Sequence, residues 1–499
     1  MTAAQTPGTA RSFGAITVSL VGFLFMVEIT SGILQGFYIP LISDLVVHLG
    51  IRDADFNWFE AAQLMLSALA VPLLAKLGDM VGHKKILLIS TILTAGASWW
   101  LAFAGDFTSF LIAWALQGFY VVWLPLEVAL IFDRGRRTST GASQTRRAAG
   151  LLVVGLEAGA IIGALSSSLF FSALGENVTL TLMVPAVCVT AVFFVILFGV
   201  PESEPLPNRS LDLMGFTLLA VGLLLITSSL TFLRINGPET WWVWALLAAG
   251  VLTFIPFARF ELRQKDPAID LRVMGRPELW PVLLTAGLFG IAVLGAQAPL
   301  STYAGTDPAL GYGLGLEAGM RSILIGVYLI AMIVGALLFP LLARRTTPRI
   351  SLITAAFVVA LGYLLFLPFH LETWQVMTNM VIAGLGSGAL VAALPAAAAA
   401  AAPRGQTGIA AGLTNTTKTI GGSFASAVFG VVLLTGVTSA VGTAASLSGY
   451  MTVWAICGGG ALIAGLTLFM VPKSAFGDAP AEIDDILVPG AEASEAEAP

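Results

Sequence analysis

The chain has 499 residues, of which 57% are hydrophobic and only 11% charged, with a mean hydropathy of +0.91. A soluble domain carries about 25% charged residues, so this composition excludes an ordinary water-soluble fold and requires a bilayer as solvent. The formal net charge is −5, but seven of the 29 acids (Asp478, Glu482, Asp484, Asp485, Glu492, Glu495 and Glu497) lie beyond Lys473, leaving 22 acids against 24 basic residues and no nucleic-acid patch.

Taken in chain order, apolar runs predict spans over residues 15–40, 58–78, 85–105, 108–132, 149–172 and 178–200. Two more follow at 212–233 and 241–260, and six at 280–302, 320–343, 350–369, 374–398, 407–435 and 447–471. Continuous runs of about 20 residues are helices crossing a roughly 30 Å hydrocarbon core. Barrel strands would alternate polar and apolar side chains over about ten residues. Only Arg11 precedes the first run and no small-residue cleavage site follows, so that run is kept as a span. The fold class is therefore an all-α polytopic membrane protein with 14 transmembrane helices.

Basic residues orient it. With the N-terminus cytoplasmic, 20 of the 24 Lys and Arg fall in inner loops. Only Arg52, Arg234 and Arg321 fall outside, and Lys418 lies within a span. Positive charge collects on the cytoplasmic side, so both termini are expected there, in a multi-pass protein of the cytoplasmic membrane. A missed span would have reversed every later loop.

The polar linker 201–211 and the charged loop 261–279 bracket spans 7 and 8 as a separable pair. The expected organisation is a six-helix half over 1–205, the extra pair and its linker over 206–275, and a second six-helix half over 276–475. The acidic tail, 476–499, has little to bury and is expected to be disordered. Cys188 and Cys457 sit in apolar runs, and His48, His83 and His370 are scattered, so no metal site or disulfide framework is expected. No phosphate loop is present. That argues against a built-in ATPase and for ion-gradient energy, with no cofactor.

The loop after span 2 reads Leu77-Gly78-Asp79-Met80-Val81-Gly82-His83-Lys84-Lys85. It resembles the signature loop of the major facilitator superfamily, Gly-x-Leu-Ala-Asp-Arg-x-Gly-Arg-Lys, with Ala75 for the leading Gly and Met80 for the first Arg. Asp79 can accept from helix N-terminal amides or pair with a cation, Gly82 permits the turn, and Lys84 and Lys85 hold the loop inside. The chain is further similar to the fourteen-span drug:proton antiporter branch. Ser210 to Gly215 resembles the entry to that branch's extra pair, Pro403 to Asn415 continuing to Gly421 and Gly422 its turn between spans 12 and 13, and Gly311 to Gly315 its outer loop before span 10. The resemblance covers roughly residues 15–472. It implies two six-helix halves rocking about a central cavity, with Gly78, Asp79, Gly82, Lys84 and Lys85 as a gating loop.

Carboxylates within a membrane are costly and mark function by default. Four are candidates for proton coupling: Glu28, Glu60, Glu127 and Glu157. Glu28 stands where the family often carries a carboxylate, and shares a helical face with Gly32 and Gln35. Gln117, Tyr120 and Glu127 are placed on one face of span 4, either toward a cavity or as a buried structural set. Glu60 shares a helical face with Gln63 and Ser67 and is read either as a site residue or as a solvated helix end beside Trp58. Glu157 lies two residues off the packing seam of Gly155, Gly159 and Gly163. Lys418 shares a face with Asn415, either pairing with a carboxylate of the other half or meeting solute. Trp114, Tyr120 and Trp123 are candidate cavity aromatics, beside the alternatives of lipid-facing or core packing. The family's span 4 Arg is Trp114 here, and its span 5 Pro is Ala160.

The expected function is proton-coupled export of amphipathic or cationic organic solutes. Gln35, Trp114, Gln117, Tyr120, Asn415 and Lys418 are the expected cavity residues. Expected partners are the small-molecule solute, protons and membrane lipids, with no nucleic acid and a monomeric chain. A lipid or lipid-precursor translocator of the same fold, and a non-transporting sensor or assembly protein, are the alternatives.

Overall fold

The computed structural model describes residues 18–135, 141–203, 211–237, 239–265, 267–402, 407–435, 444–472 and 475. Arg11, most of linker 201–211, residues 403–406 and the acidic tail lie outside them. Helices occupy every predicted position. They are α1 (Val18–Gly36), α2 (Asp53–Val81), α3 (His83–Phe103), α4 (Phe107–Gly135), α5 (Gly141–Ala173), α6 (Val178–Gly199), α7 (Leu213–Asn236) and α8 (Trp241–Glu261). There follow α9 (Trp280–Gly305), α10 (Ala318–Arg345), α11 (Pro348–Leu364), α12 (Thr373–Ala401), α13 (Thr407–Val432) and α14 (Leu447–Leu468).

Among the described residues, twelve of these are long and apolar enough to cross a membrane. The expected count of fourteen is not reached on that measure, for two physical reasons. Helix α11 has only 17 residues, ending at Leu364, where a turn replaces the last part of the predicted 350–369 run. Helix α13 carries Thr414, Asn415, Thr416, Thr417, Lys418 and Thr419 in succession, which lowers its hydropathy.

Helices α1–α6 pack mainly on one another, as do α9–α14. The two groups meet along α2 against α13 and α5 against α10. The pair α7/α8 docks through α7 onto α13 and α2, beside this seam, where the Thr227 hydroxyl reaches Met65 Sδ at 3.0 Å. Close contacts in both groups depend on missing side chains. A Cβ on Gly32 of α1 would lie 2.0 Å from the Leu156 carbonyl oxygen of α5, and one on Gly159 would lie 2.1 Å from that of Ile29. The second group repeats the device, since a Cβ on Gly290 of α9 would lie 2.0 Å from the Lys418 carbonyl oxygen of α13. Backbones in lipid approach this closely because packing, rather than water exclusion, drives helix association.

Two helices break their regular winding where they face each other across the bundle. In α4, Gly118–Val122 is a 3-10 turn. In α9, Ile291–Gly295 is a π turn. Mid-helix irregularities of both kinds recur at functional sites.

Candidate functional site

Between the two six-helix groups lies a cavity of about 50 Å³. The α1 helix and its continuation supply Leu34, Gln35, Tyr38, Ile39 and Ile42; α2 supplies Glu60, Gln63 and Leu64; α4 supplies Trp114 and Tyr120; α9 supplies Leu294 and Gln297. Tyr120 comes from the 3-10 turn and Leu294 from the π turn, so both irregular segments aim a residue into this space. Glu60 is only 7% exposed. It is therefore not a solvated helix end, the reading that its place near a helix start had left open.

The 3-10 turn also separates the three residues placed on one face of α4. Tyr120 lines the cavity. Gln117 is fully buried, donating to Tyr38 Oη at 2.7 Å and to Ser98 Oγ at 3.0 Å. It fixes the tyrosine that lines the cavity without lining it itself. Glu127 points elsewhere again, toward α1. There its carboxyl faces that of Glu28. Both residues are 0% exposed, and none of their four oxygens has a hydrogen-bond partner at ordinary length. The pair lies seven residues before Gln35 on α1, about 10 Å along the helix. Trp123 is likewise fully buried and packs on the Tyr120 ring, so it belongs to the core.

Glu157 of α5 and Lys418 of α13 act on each other electrostatically across the two groups. No ion pair within 4 Å joins them among the described residues. Tyr328 of α10 also senses Glu157. Asn415 and Lys418 are partly exposed on α13 and lie outside the cavity around Glu60.

Above this cavity, at the end that carries the loop between α1 and α2, the groups are joined. The Arg321 guanidinium donates to Asp44 at 2.6 Å. Ser301 Oγ donates to the Ile39 carbonyl at 2.5 Å, Tyr450 Oη to Asp53 at 3.4 Å, and the Ser167 and Ser322 hydroxyls lie 3.3 Å apart.

At the opposite end, the loop Gly78–Lys85 turns back on its own group. Gly82 takes φ +111°, a region that a side chain rarely enters. A Cβ there would also strike the Glu202 carboxylate at 2.6 Å. That carboxylate accepts from the Lys84 backbone N–H at 2.9 Å, placing negative charge on the α3 N-terminus. Asp79 lies 3.3 Å from His83 Nε2, and the His83 backbone N–H donates to Ser203 Oγ at 2.9 Å. Lys84 Nζ donates to the Leu197 carbonyl at 2.9 Å.

Residues 24–426 match the Major Facilitator Superfamily. The chain belongs to this family. It is thus a multi-pass membrane transporter of small molecules rather than an enzyme. It is 24% identical over 447 residues to a probable actinorhodin transporter of Streptomyces coelicolor, covering 86% of this chain and 74% of that protein. It is 23% identical over 393 residues to a tetracenomycin C resistance and export protein of Streptomyces glaucescens, covering 76% and 69%. The fold matches the crystal structure of the POT family transporter PepTSo with a TM-score of 0.65 at 13% identity, over 92% of this chain and 99% of that one. As a facilitator, the chain is closed above the cavity, while the hydrogen bonds of its Gly78–Lys85 loop stay within the α1–α6 group among the described residues.

Sequence reasoning singled out Glu28, Glu60, Glu127, Gln35, Trp114 and Tyr120, placed Gln63 only as a neighbour on the face of Glu60, and missed Tyr38, Gln297, Asp44 and Ser98. Gln63 and Gln297 carried a usable signal, since each is an amide inside an apolar run. Asp44 and Arg321 carried none, because 277 residues separate them.

Proposed function

We propose that this transporter exports amphipathic organic solutes in exchange for protons, with Glu28 and Glu127 together carrying the proton. The observation that supports this most is the facing of their two carboxyls in a site closed to water. Two unit charges 4 Å apart repel by roughly 4 kcal/mol at an effective dielectric constant of about 20. A pair with no cation or donor to offset that cost holds a proton between its members. A shift of α1 against α4 within the first half, such as bending of α4 at its 3-10 turn as the halves rock, would change their separation and release it. The export reading also draws on the relatives named as an antibiotic transporter and an antibiotic export protein.

The same reading places all fourteen helices in the cytoplasmic membrane, with the Gly78–Lys85 loop and both termini on the cytoplasmic side. The transporting unit is one chain, with halves at 1–205 and 276–475. Glu157 and Lys418 attract across the halves, and Gly78, Asp79, Gly82, Lys84 and Lys85 form the gate that changes partner when the lower end closes.

The test is ethidium efflux from preloaded, pump-deficient bacterial cells expressing the wild type or Glu28→Gln, with and without a protonophore. Wild-type efflux that stops with protonophore, and is lost in Glu28→Gln at equal expression, supports the reading. Efflux indifferent to both treatments sinks the proton assignment.

A further inference from the structure

We propose that the cavity below the Ser301–Ile39 contact is a head-group site for a protonated amine, and that Glu60 takes its charge. The inference rests on the transporter reading but on neither proton coupling nor direction of transport.

Glu60 is only 7% exposed, and it lines the cavity. Among the described residues it has no hydrogen-bond or ionic partner. An isolated carboxylate removed from water is costly unless a cation or donors meet it. Around Glu60 the wall is built for donors on the solute. Gln35, Gln63 and Gln297 face the same space. Gln297 already spends an amide hydrogen on the Val293 carbonyl at 3.0 Å, which leaves its oxygen to accept. Gln35 is exposed although Leu34 and Gly36 on either side are buried, consistent with its place on the cavity wall.

The remaining wall is apolar, with an aromatic part beside the aliphatic Leu34, Ile39, Ile42, Leu64 and Leu294. Trp114 and Tyr38 meet edge to face with centroids 5.0 Å apart, and Tyr120 completes the set. Ring faces attract a cation through their quadrupole. An ammonium has up to three N–H donors, which suits one carboxylate and several amide oxygens. A volume of about 50 Å³ holds such a head group with its first carbons. A drug-sized body needs roughly 300 Å³ or more, so the apolar remainder of such a solute would extend beyond this cavity. Glu60 would thus set specificity for amines, while Glu28 and Glu127 handle the proton at a separate place.

The experiment uses the full chain purified into lipid nanodiscs, with empty nanodiscs as the partition control. Dansylcadaverine, a fluorescent alkylamine, is titrated against its neutral N-acetyl derivative without any ion gradient. The wild type should bind the amine at least tenfold more tightly than the acetylated form. Glu60→Gln should bring that ratio close to one, with the melting temperature and the weak binding of the acetylated form retained. Gln297→Glu, which adds a second carboxylate to the wall, should raise the ratio, and so keeps the test decisive should Glu60→Gln fail to fold. Equal binding of both probes to the wild type, no binding of either, a preference that survives in Glu60→Gln, or no rise in Gln297→Glu each overturns the proposal. Because no gradient is applied, loss of proton coupling in the efflux assay leaves this result unmoved.

Discussion

Arg321 of α10 holds Asp44, beyond the end of α1, at 2.6 Å and thereby ties the two six-helix groups together above the cavity. Its side chain is 4% exposed, and that of Asp44 is 28% exposed. A partly shielded pair of this kind contributes more than a surface one, whose typical worth is about 0–1 kcal/mol. Hydrogen bonds to charged groups are worth about 1.5–3 kcal/mol. Arg321→Gln should therefore shift the resting population toward opening above the cavity by roughly tenfold or more. The measurement is labelling of a Gln35→Cys reporter by a membrane-impermeant maleimide added outside, in a chain with Cys188→Ala and Cys457→Ala. Faster labelling is expected, and an unchanged rate would show that the pair does not gate.

Glu28 and Glu127 should behave as one unit. Glu28→Gln and Glu127→Gln are each expected to abolish protonophore-sensitive efflux, and the double substitution should cost no more than either alone. Residues in direct contact couple in this non-additive way. If the two losses multiply instead, the carboxyls carry protons separately.

The α1–α5 contact depends on Gly32 and Gly159. A methyl group at Gly32 would lie 2.0 Å from a backbone oxygen, which cannot move aside as a side-chain tip can. Overpacking costs about 1–3 kcal/mol. Gly32→Val should lower the melting temperature of the purified protein by several degrees, whereas Gly22→Val, where nothing lies within 4 Å, should leave it nearly unchanged. Differential scanning fluorimetry in one lipid or detergent compares them directly, and equal melting would mean the helices separate without penalty.

Glu202 anchors the Gly78–Lys85 loop through the Lys84 backbone N–H. Removing a side-chain acceptor from a helix N-terminus costs about 0.5–2 kcal/mol. Glu202→Ala should loosen the loop without unfolding the chain. Trypsin cleavage at Lys84 and Lys85 in inverted vesicles should then accelerate several-fold. An unchanged rate would mean that Asp79 and Ser203 hold the loop without Glu202.

Much of this protein was legible along the chain because the bilayer imposes a one-dimensional rule. Every backbone polar group must be satisfied within its own helix, so apolar runs alone located the helices. The loop Leu77–Lys85 announced the family because a turn at positive φ and a charged helix start need particular residues at fixed spacing. Buried carboxylates were legible as candidates for the same dielectric reason.

Their pairing was not. Tertiary structure alone set Glu127 against Glu28 and turned Tyr120 into the cavity, because the Gly118–Val122 stretch winds as a 3-10 helix and breaks the 3.6-residue phase on which any face assignment rests. It also decided that Glu60 lines a cavity and that Arg321 reaches Asp44. Sequence spacing fixes neighbours within one helix. Which helix stands opposite is settled by close contacts such as Gly32 on Leu156, and those depend on the packing of the whole bundle.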